Sequence, residues 1–174
     1  MEQKQTYLEA LQNVPQLVAI ETDPLHFLRC CAYNIWAAAQ SLCAYWKAQK
    51  EIFGTERAFL PLTLTAIGTL TRDNIITLQA GYPAILPNTK SGQQVLFGDR
   101  RQCVSTSNAT SKLRCCFYAV KKLAEDERAQ TEGILGLVLL VMPRLQDFDR
   151  GYIKRMASLM ETAFPLKLYA HCLC

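Results

Sequence analysis

Apolar positions in the first third of the chain recur at intervals of three, four and seven residues, which is the spacing of amphipathic helices. A first short helix is expected to end at Pro15. Two more are expected to begin after Asp23 and Asn34, whose side chains can accept the free amide hydrogens of a first helical turn. Gly54 is expected to end the third helix as a left-handed cap. Residues 1–58 are therefore interpreted as a helical lead-in. Five apolar positions are predicted to form the buried stripe of its last helix: Ile35, Ala39, Leu42, Trp46 and Phe53.

The period of the apolar residues changes in the second part of the chain, residues 59–174. A capped helix from Thr71 to about Ala80 is predicted first, and loop and turn residues follow up to Ser91-Gly92. Alternating strands and helices then predict right-handed crossovers and a largely parallel sheet. The expected fold class is therefore α/β, with the helical lead-in packed on a mostly parallel sheet that has crossover helices. The predicted elements are strands over 94–98, 133–142 and 166–174 and helices over 112–130 and 147–164.

Composition places the 174-residue chain among ordinary globular proteins, because 50% of its residues are hydrophobic and 20% are charged. A formal net charge of +4 is too mild to indicate nucleic acid or membrane as a partner. The first residues run into a polar amphipathic segment with no apolar stretch typical of a signal peptide. Eight cysteines in such a chain are expected to be reduced thiols in the cytoplasm.

The sequence gives little indication of a metal site, a catalytic nucleophile or a phosphate-binding loop. Adjacent cysteines do not reproduce the gaps of structural zinc sites. The chain has two histidines, His26 and His171, and no cysteine lies in a helix-start setting that would activate a thiol. The glycines of Gly133-Ile134-Leu135-Gly136 lie inside a predicted strand and not before a helix, as a phosphate loop requires. We therefore expect no catalytic residues, no metal and no cofactor, and a reactive-thiol enzyme is only a third alternative.

Basic residues cluster at the start of the helix predicted over 147–164. A solvated helix face explains this cluster, and contact with an anionic membrane surface is the alternative. Nucleic-acid binding is not expected, because no aromatic side chains alternate with the basic ones. The cluster contains Arg144, Arg150, Lys154 and Arg155.

Five short segments, in this order, resemble those of the CRAL-TRIO lipid-binding family. The family pattern of Phe-Leu-Arg-Ala-Arg followed by Tyr-Trp-Lys is similar to the first two segments, although Cys31 replaces the second arginine. Family members often carry an acidic residue in the second strand, where this chain has the apolar Leu137-Val138-Leu139-Leu140. They also continue beyond the strand at which this chain ends, so the resemblance implies a partial domain. The segments are Phe27-Leu28-Arg29-Cys30-Cys31, Tyr45-Trp46-Lys47, Gly92-Gln93-Gln94-Val95-Leu96-Phe97, Gln130-Thr131-Glu132-Gly133-Ile134 and Phe164-Pro165-Leu166-Lys167-Leu168.

The resemblance implies that the chain binds a small lipophilic ligand in an apolar cavity and transfers it between membranes without covalent chemistry. It implies headgroup or membrane contact through Lys167, with Arg150 and Lys154 on the basic helix. The spacing of the same apolar residues is equally typical of a dry core that holds no ligand. The lipid-binding residues that the resemblance implies are Leu113, Cys116, Phe117, Val120, Ile134, Val138, Leu159, Met160 and His171.

The alternative function belongs to a different class. A chain that ends in an apolar strand offers an open sheet edge, and a partner protein could complete that edge. In this interpretation the chain is an interaction module that does not transfer lipid.

Overall fold

The computed structural model describes residues 2–102, 108–139 and 149–173 of the chain. Eight α-helices, four strands and one 3-10 turn lie within these ranges. The helices are α1 (Glu2–Asn13), α2 (Pro15–Glu21), α3 (Pro24–Cys30), α4 (Ile35–Phe53), α5 (Arg72–Gln79), α6 (Ala109–Leu123), α7 (Glu127–Thr131) and α8 (Arg150–Thr162). The strands are β1 (Ala84–Leu86), β2 (Val95–Asp99), β3 (Ile134–Leu139) and β4 (Leu168–Leu173), and the 3-10 turn is Arg100–Gln102.

Side chains cap two helices of the lead-in, α3 and α4, as predicted. Asp23 Oδ1 accepts the backbone N–H of Leu25 at 2.9 Å. Asn34 Oδ1 accepts the backbone N–H groups of Trp36 and Ala37, both at 3.1 Å. Each cap satisfies amide hydrogens that a first helical turn leaves without an internal partner, so local chemistry determines where α3 and α4 begin.

Glycines end two helices at the predicted positions. Gly54 follows α4 with φ +81°, and Gly81 follows the end of α5 with φ +90°. Both values lie in the left-handed region that favours glycine. Thr71 and Asn74 form a reciprocal capping box at the start of α5, which confirms the predicted beginning of that helix.

Two of the five residues predicted for the buried stripe of α4 are exposed. Ile35 is 73% exposed and Ala39 is also exposed, so the prediction was wrong there. Spacings of three and four residues fit either Ala39 or its neighbour Ala38, and in the folded protein Ala38 is the one that is buried. The inward-facing residues of α4 are Ala38, Leu42, Tyr45, Trp46, Ala48, Gln49, Ile52 and Phe53.

The four strands form one sheet in the order β1-β2-β3-β4. Strands β2, β3 and β4 are parallel, and β1 pairs antiparallel with β2. The mostly parallel sheet of the predicted α/β class is therefore confirmed. Strand β1 lies in a segment that was predicted as a loop. Its three residues, between Pro83 and Pro87, are too few for a periodic pattern, and pairing with β2 makes them a strand.

The crossover helices differ from the prediction in one respect. The segment 112–130, predicted as one helix, forms α6 and α7. The break comes where Asp126 caps α7 by accepting the backbone N–H of Ala129 at 3.0 Å. Helix α8 lies within the range predicted as a helix, 147–164. Residues 140–142, predicted as the end of β3, lie outside the described residues.

One hydrophobic core joins the lead-in to the sheet and its crossover helices. The rings of Phe117 on α6 and Phe164 before β4 have centroids 4.7 Å apart. Tyr45 on α4 lies 5.2 Å from Phe117, and Phe53 lies 5.4 Å from it. Such ring pairs add about 0.5–1.5 kcal/mol each beyond the burial of their area. None of the helices that the structure describes combines the length and the apolar character required to cross a membrane.

Candidate functional site

A cavity of about 830 Å³ lies between α8 and the face of the sheet formed by β2 and β3. Two residue pairs of the sheet form its floor. Leu96 is paired across the strands with Gly136, and Gly98 is paired with Val138, and all four residues line the cavity. Residues two apart on a strand point to the same face of a sheet, so each bulky side chain here stands beside a glycine. The two glycines leave open space that apolar side chains would otherwise fill.

Helix α8 covers this floor without closing against it. Leu159 is the one fully buried residue among the thirteen of the helix. Met156 and Met160 line the cavity and are half-buried, while Ile153 lines it and is 45% exposed. Met156 and Met160 therefore border the cavity while they also pack against the hydrophobic core.

Three polar side chains lie together at the wall of this mainly apolar cavity. The Tyr152 hydroxyl on α8 lies 3.0 Å from the Cys116 sulfur on α6 and 3.2 Å from the Tyr82 hydroxyl. Tyr82 and Cys116 are buried, at 7% and 5% exposure. Burial, followed by the neighbouring Cys116 and Tyr82, raises the pKa of Tyr152 far above its ordinary value. The Tyr152 hydroxyl is therefore neutral at physiological pH and able to form hydrogen bonds.

The described part of the cavity lining contains as many positively charged as negatively charged residues. Lys112 and Lys167 contribute two positive charges, and Asp149 and Glu161 contribute two negative charges. All but Lys112 are exposed. Among the described residues of the lining, positive and negative charges are therefore equal in number.

Adjacent thiols, Cys30 and Cys31, line another part of the cavity. Burial, and then the neighbouring Cys31, raises the pKa of the Cys30 thiol to about 11. Burial also raises the pKa of Cys31, although Lys167 opposes that shift. Both thiols stay protonated at neutral pH, which makes them poor nucleophiles and poor metal ligands.

The structure brings only part of the predicted lipid-binding set to the cavity. Cys116, Val138 and Met160 line it. Leu159 lines a second, smaller groove of about 400 Å³ between α4 and α8. The side chain of His171 lies outside the described part of the structure. The remaining members of the set are buried in the hydrophobic core: Leu113, Phe117, Val120 and Ile134.

The predicted lipid-binding residues on α6 are divided between the core and the cavity because they lie at different positions around the helix. Phe117 packs on the aromatic rings of α4, and Leu113 and Val120 lie three or four residues from it on the same helix face. Cys116 lies at the edge of that face, where α6 borders the cavity. An apolar stripe therefore contains both core and cavity residues, and spacing alone does not distinguish them.

The residues predicted for headgroup contact are all exposed. Lys167 borders the cavity, and its ammonium donates to the carbonyl of Thr131 at 3.1 Å. Lys154 borders the groove between α4 and α8, and Arg150 begins α8. The structure thus distributes the three cations along α8 and the entry to β4.

Several cavity residues escaped the sequence analysis. Tyr82, Tyr152 and Gly98 were not singled out, and Gly136 was considered only as part of a phosphate motif. The two glycines were the available signal, because an isolated glycine within an apolar strand marks a place where something approaches the backbone closely. The tyrosines had no such signal, since they are brought together from distant segments.

Within the described ranges, no three histidine, cysteine or acidic side chains are grouped in a way that could hold a metal ion.

No protein-family model and no curated protein matches this chain. The resemblance to CRAL-TRIO domains therefore stays a prediction, and functional inference depends on the cavity itself.

Proposed function

We propose that this protein binds one small lipophilic molecule in the cavity between α8 and the sheet. The observation that supports this most directly is the floor of the cavity, where Gly98 and Gly136 take places that apolar side chains would fill in a closed core. A volume of about 830 Å³ falls in the range typical of sites that enclose one small ligand, roughly 300–1,000 Å³. The hydrophobic effect drives such binding, at about 25 cal/mol for each Å² of apolar surface removed from water.

The proposed activity is binding without covalent chemistry. Cys30 and Cys31 at the cavity have raised pKa values, so they are protonated where a nucleophile would need a thiolate. The described residues of the lining carry equal numbers of positive and negative charges, which favours an uncharged ligand over an ionic one. These features support a carrier and not an enzyme.

We extend the proposal to transfer of the ligand between membranes. Exposed Lys167 borders the cavity, and Arg150 and Lys154 are exposed on α8, so a ligand could enter while this side of the protein contacts an anionic membrane surface. The resemblance to CRAL-TRIO domains implies the same activity.

A cytoplasmic location is proposed because the cysteines within the described ranges are free thiols, and thiols stay reduced in the cytoplasm.

A cavity-filling variant tests ligand binding. The first side-chain carbon of Gly98→Val would lie 3.8 Å from Tyr82 and 3.9 Å from Val138, which are ordinary contacts, while its methyl groups would occupy the cavity. The probe is 1-dodecylpyrene, titrated by fluorescence. We expect saturable binding to the wild type and at least tenfold weaker binding to Gly98→Val.

Ala39→Val is the matched control, because Ala39 is exposed on α4 and the same two methyl groups are added away from the cavity. It should bind the probe like the wild type. Absence of saturable binding to the wild type contradicts the proposed function. Equal binding by Gly98→Val and the wild type contradicts the assignment of binding to this cavity.

A second candidate function is supported by strand β4. It is the outer strand of the described sheet, and its Leu168 and Tyr169 are 47% and 65% exposed. An apolar outer strand is a template onto which another chain can add a strand. In this alternative the protein is an interaction module.

Vesicle-to-vesicle transfer of 1-dodecylpyrene separates the two candidates. Transfer by the isolated chain supports the carrier. Absence of transfer, together with concentration-dependent association that Tyr169→Lys abolishes, supports the interaction module. Sedimentation velocity measures the association.

A further inference from the structure

The polar cluster of Cys116, Tyr152 and Tyr82 interrupts an otherwise apolar part of the cavity wall. Tyr152 is its central member, with its hydroxyl 3.0 Å from the Cys116 sulfur and 3.2 Å from the Tyr82 hydroxyl. All three residues line the cavity. A ligand bound between α8 and the sheet would therefore meet polar atoms at this place and apolar atoms at the floor.

The hydrogen-bonding capacity of Tyr152 is larger than these two contacts require. A phenolic hydroxyl donates one hydrogen bond and can accept two. Tyr152 uses two of these three positions for Cys116 and Tyr82. If it donates to one neighbour and accepts from the other, one acceptor position remains. If it accepts from both, its own hydrogen remains.

A ligand group that suits both arrangements must be able to donate and to accept. A hydroxyl group does both, whereas a carbonyl or ether oxygen only accepts, and a hydrocarbon does neither. A carboxylate or phosphate would place a negative charge beside the Tyr152 hydroxyl, whose hydrogen-bond partners Cys116 and Tyr82 are not cationic, and burial of an unpaired charge is costly. The raised pKa of Tyr152 accords with this, because the hydroxyl stays neutral and keeps its hydrogen.

We propose that the Tyr152 hydroxyl binds the hydroxyl group of a lipophilic alcohol whose apolar body fills the cavity above Gly98 and Gly136. This inference depends on the proposed function, since it specifies the chemical class of the ligand in the same cavity. Tyr152 is then a specificity-determining residue, and Cys116 and Tyr82 are the partners that position its hydroxyl.

The test compares three probes of the same length: 12-(1-pyrenyl)dodecan-1-ol, its methyl ether and 1-dodecylpyrene. Tyr152→Phe removes the hydroxyl and keeps the ring. It should weaken binding of the alcohol by roughly tenfold, the loss expected for one hydrogen bond, and change the affinity for 1-dodecylpyrene by less than about twofold. In the wild type, the alcohol should bind several-fold more tightly than the ether, whose oxygen has no hydrogen to donate. Thermal unfolding establishes that the variant is folded.

Tyr169→Phe is the matched control, because Tyr169 is 65% exposed and is not among the residues that line the cavity. It should leave the affinities for all three probes unchanged. Equal effects of Tyr152→Phe on the alcohol and the hydrocarbon overturn the inference, as does equal binding of alcohol and ether by the wild type. In both of those cases the hydrocarbon still binds and the proposed function stands. If no probe binds to the wild type, the proposed function itself is wrong, and the inference fails with it.

Discussion

The ring of Tyr45 on α4 lies edge-on to the ring of Phe164, with 6.1 Å between centroids and 82° between planes. This contact links the lead-in directly to the segment that enters β4. Tyr45 also lies edge-on to Phe27 of α3, at 6.3 Å, so its ring is at the centre of the shared core. Its hydroxyl, however, is buried without a hydrogen-bond partner in the described structure.

Tyr45→Phe should therefore leave the free energy of unfolding unchanged or raise it by up to about 1 kcal/mol. The variant keeps the ring contacts and removes a buried polar atom whose desolvation nothing offsets. Urea denaturation monitored by circular dichroism measures the change. Tyr45→Ala is the contrasting variant and should lose about 3–5 kcal/mol, because it also removes the ring. A loss of more than 1 kcal/mol in Tyr45→Phe would mean that the hydroxyl is stabilised by a buried water.

Arg57 is predicted to stabilise the loop before α5. Its guanidinium donates to four backbone carbonyls of that loop, at distances between 2.6 and 3.2 Å: Ala66, Gly68, Thr69 and Leu70. Arg57→Ala should lower the free energy of unfolding by about 2–4 kcal/mol, since hydrogen bonds to charged groups contribute about 1.5–3 kcal/mol each and do not simply add.

Arg72→Ala is the control for Arg57→Ala, because Arg72 is exposed at the start of α5. Its effect should stay within about 0.5 kcal/mol. Thermal and urea denaturation measure both variants. Equal stability of Arg57→Ala and the wild type would show that the four carbonyls are satisfied equally well by water.

His26 should make the protein less stable in mild acid. Burial lowers the pKa of His26 below its ordinary value of 6.5, and this effect outweighs the attraction of Asp23, whose Oδ2 lies 3.9 Å away. Lys121 and Arg29 also lower the pKa, and Glu125 opposes them. The unfolded chain therefore binds the proton more readily than the folded chain. The stability that the neutral ring contributes is complete above pH 6.5 and is lost as the pH falls through the folded pKa.

The measurement compares the melting temperatures of the wild type and His26→Gln at pH 7.5 and at pH 5. We expect a smaller decrease in the variant, because glutamine has no proton to bind. Identical decreases in the two proteins would show that other groups cause the acid sensitivity.

Helix boundaries were the most predictable part of the fold. Asp23, Asn34 and Thr71 each cap a helix through atoms a few residues away, so the controlling interaction is visible in a short stretch of sequence. The end of α4 was predictable for the same reason, because the positive φ of Gly54 depends on that residue alone. The largely parallel sheet was also predictable, since alternating strands and helices favour crossover connections.

Packing faces were less predictable. The apolar positions of α4 fit two stripes, one through Ala39 and one through Ala38, and tertiary packing of the helix buries only Ala38. Strand β1 exists because it pairs with β2. Both outcomes depend on segments that are distant in sequence, which no local periodicity describes.

By itself, the sequence determined where α3, α4 and α5 begin and that β2, β3 and β4 are parallel strands, because caps and periodicity act over a few residues. Only the tertiary structure decided that Phe117 belongs to the core while Cys116 borders a cavity. It also decided that Gly98 and Gly136 lie on one face beneath α8. The space between a helix and a sheet depends on every side chain that projects into it, and here those side chains come from separate segments.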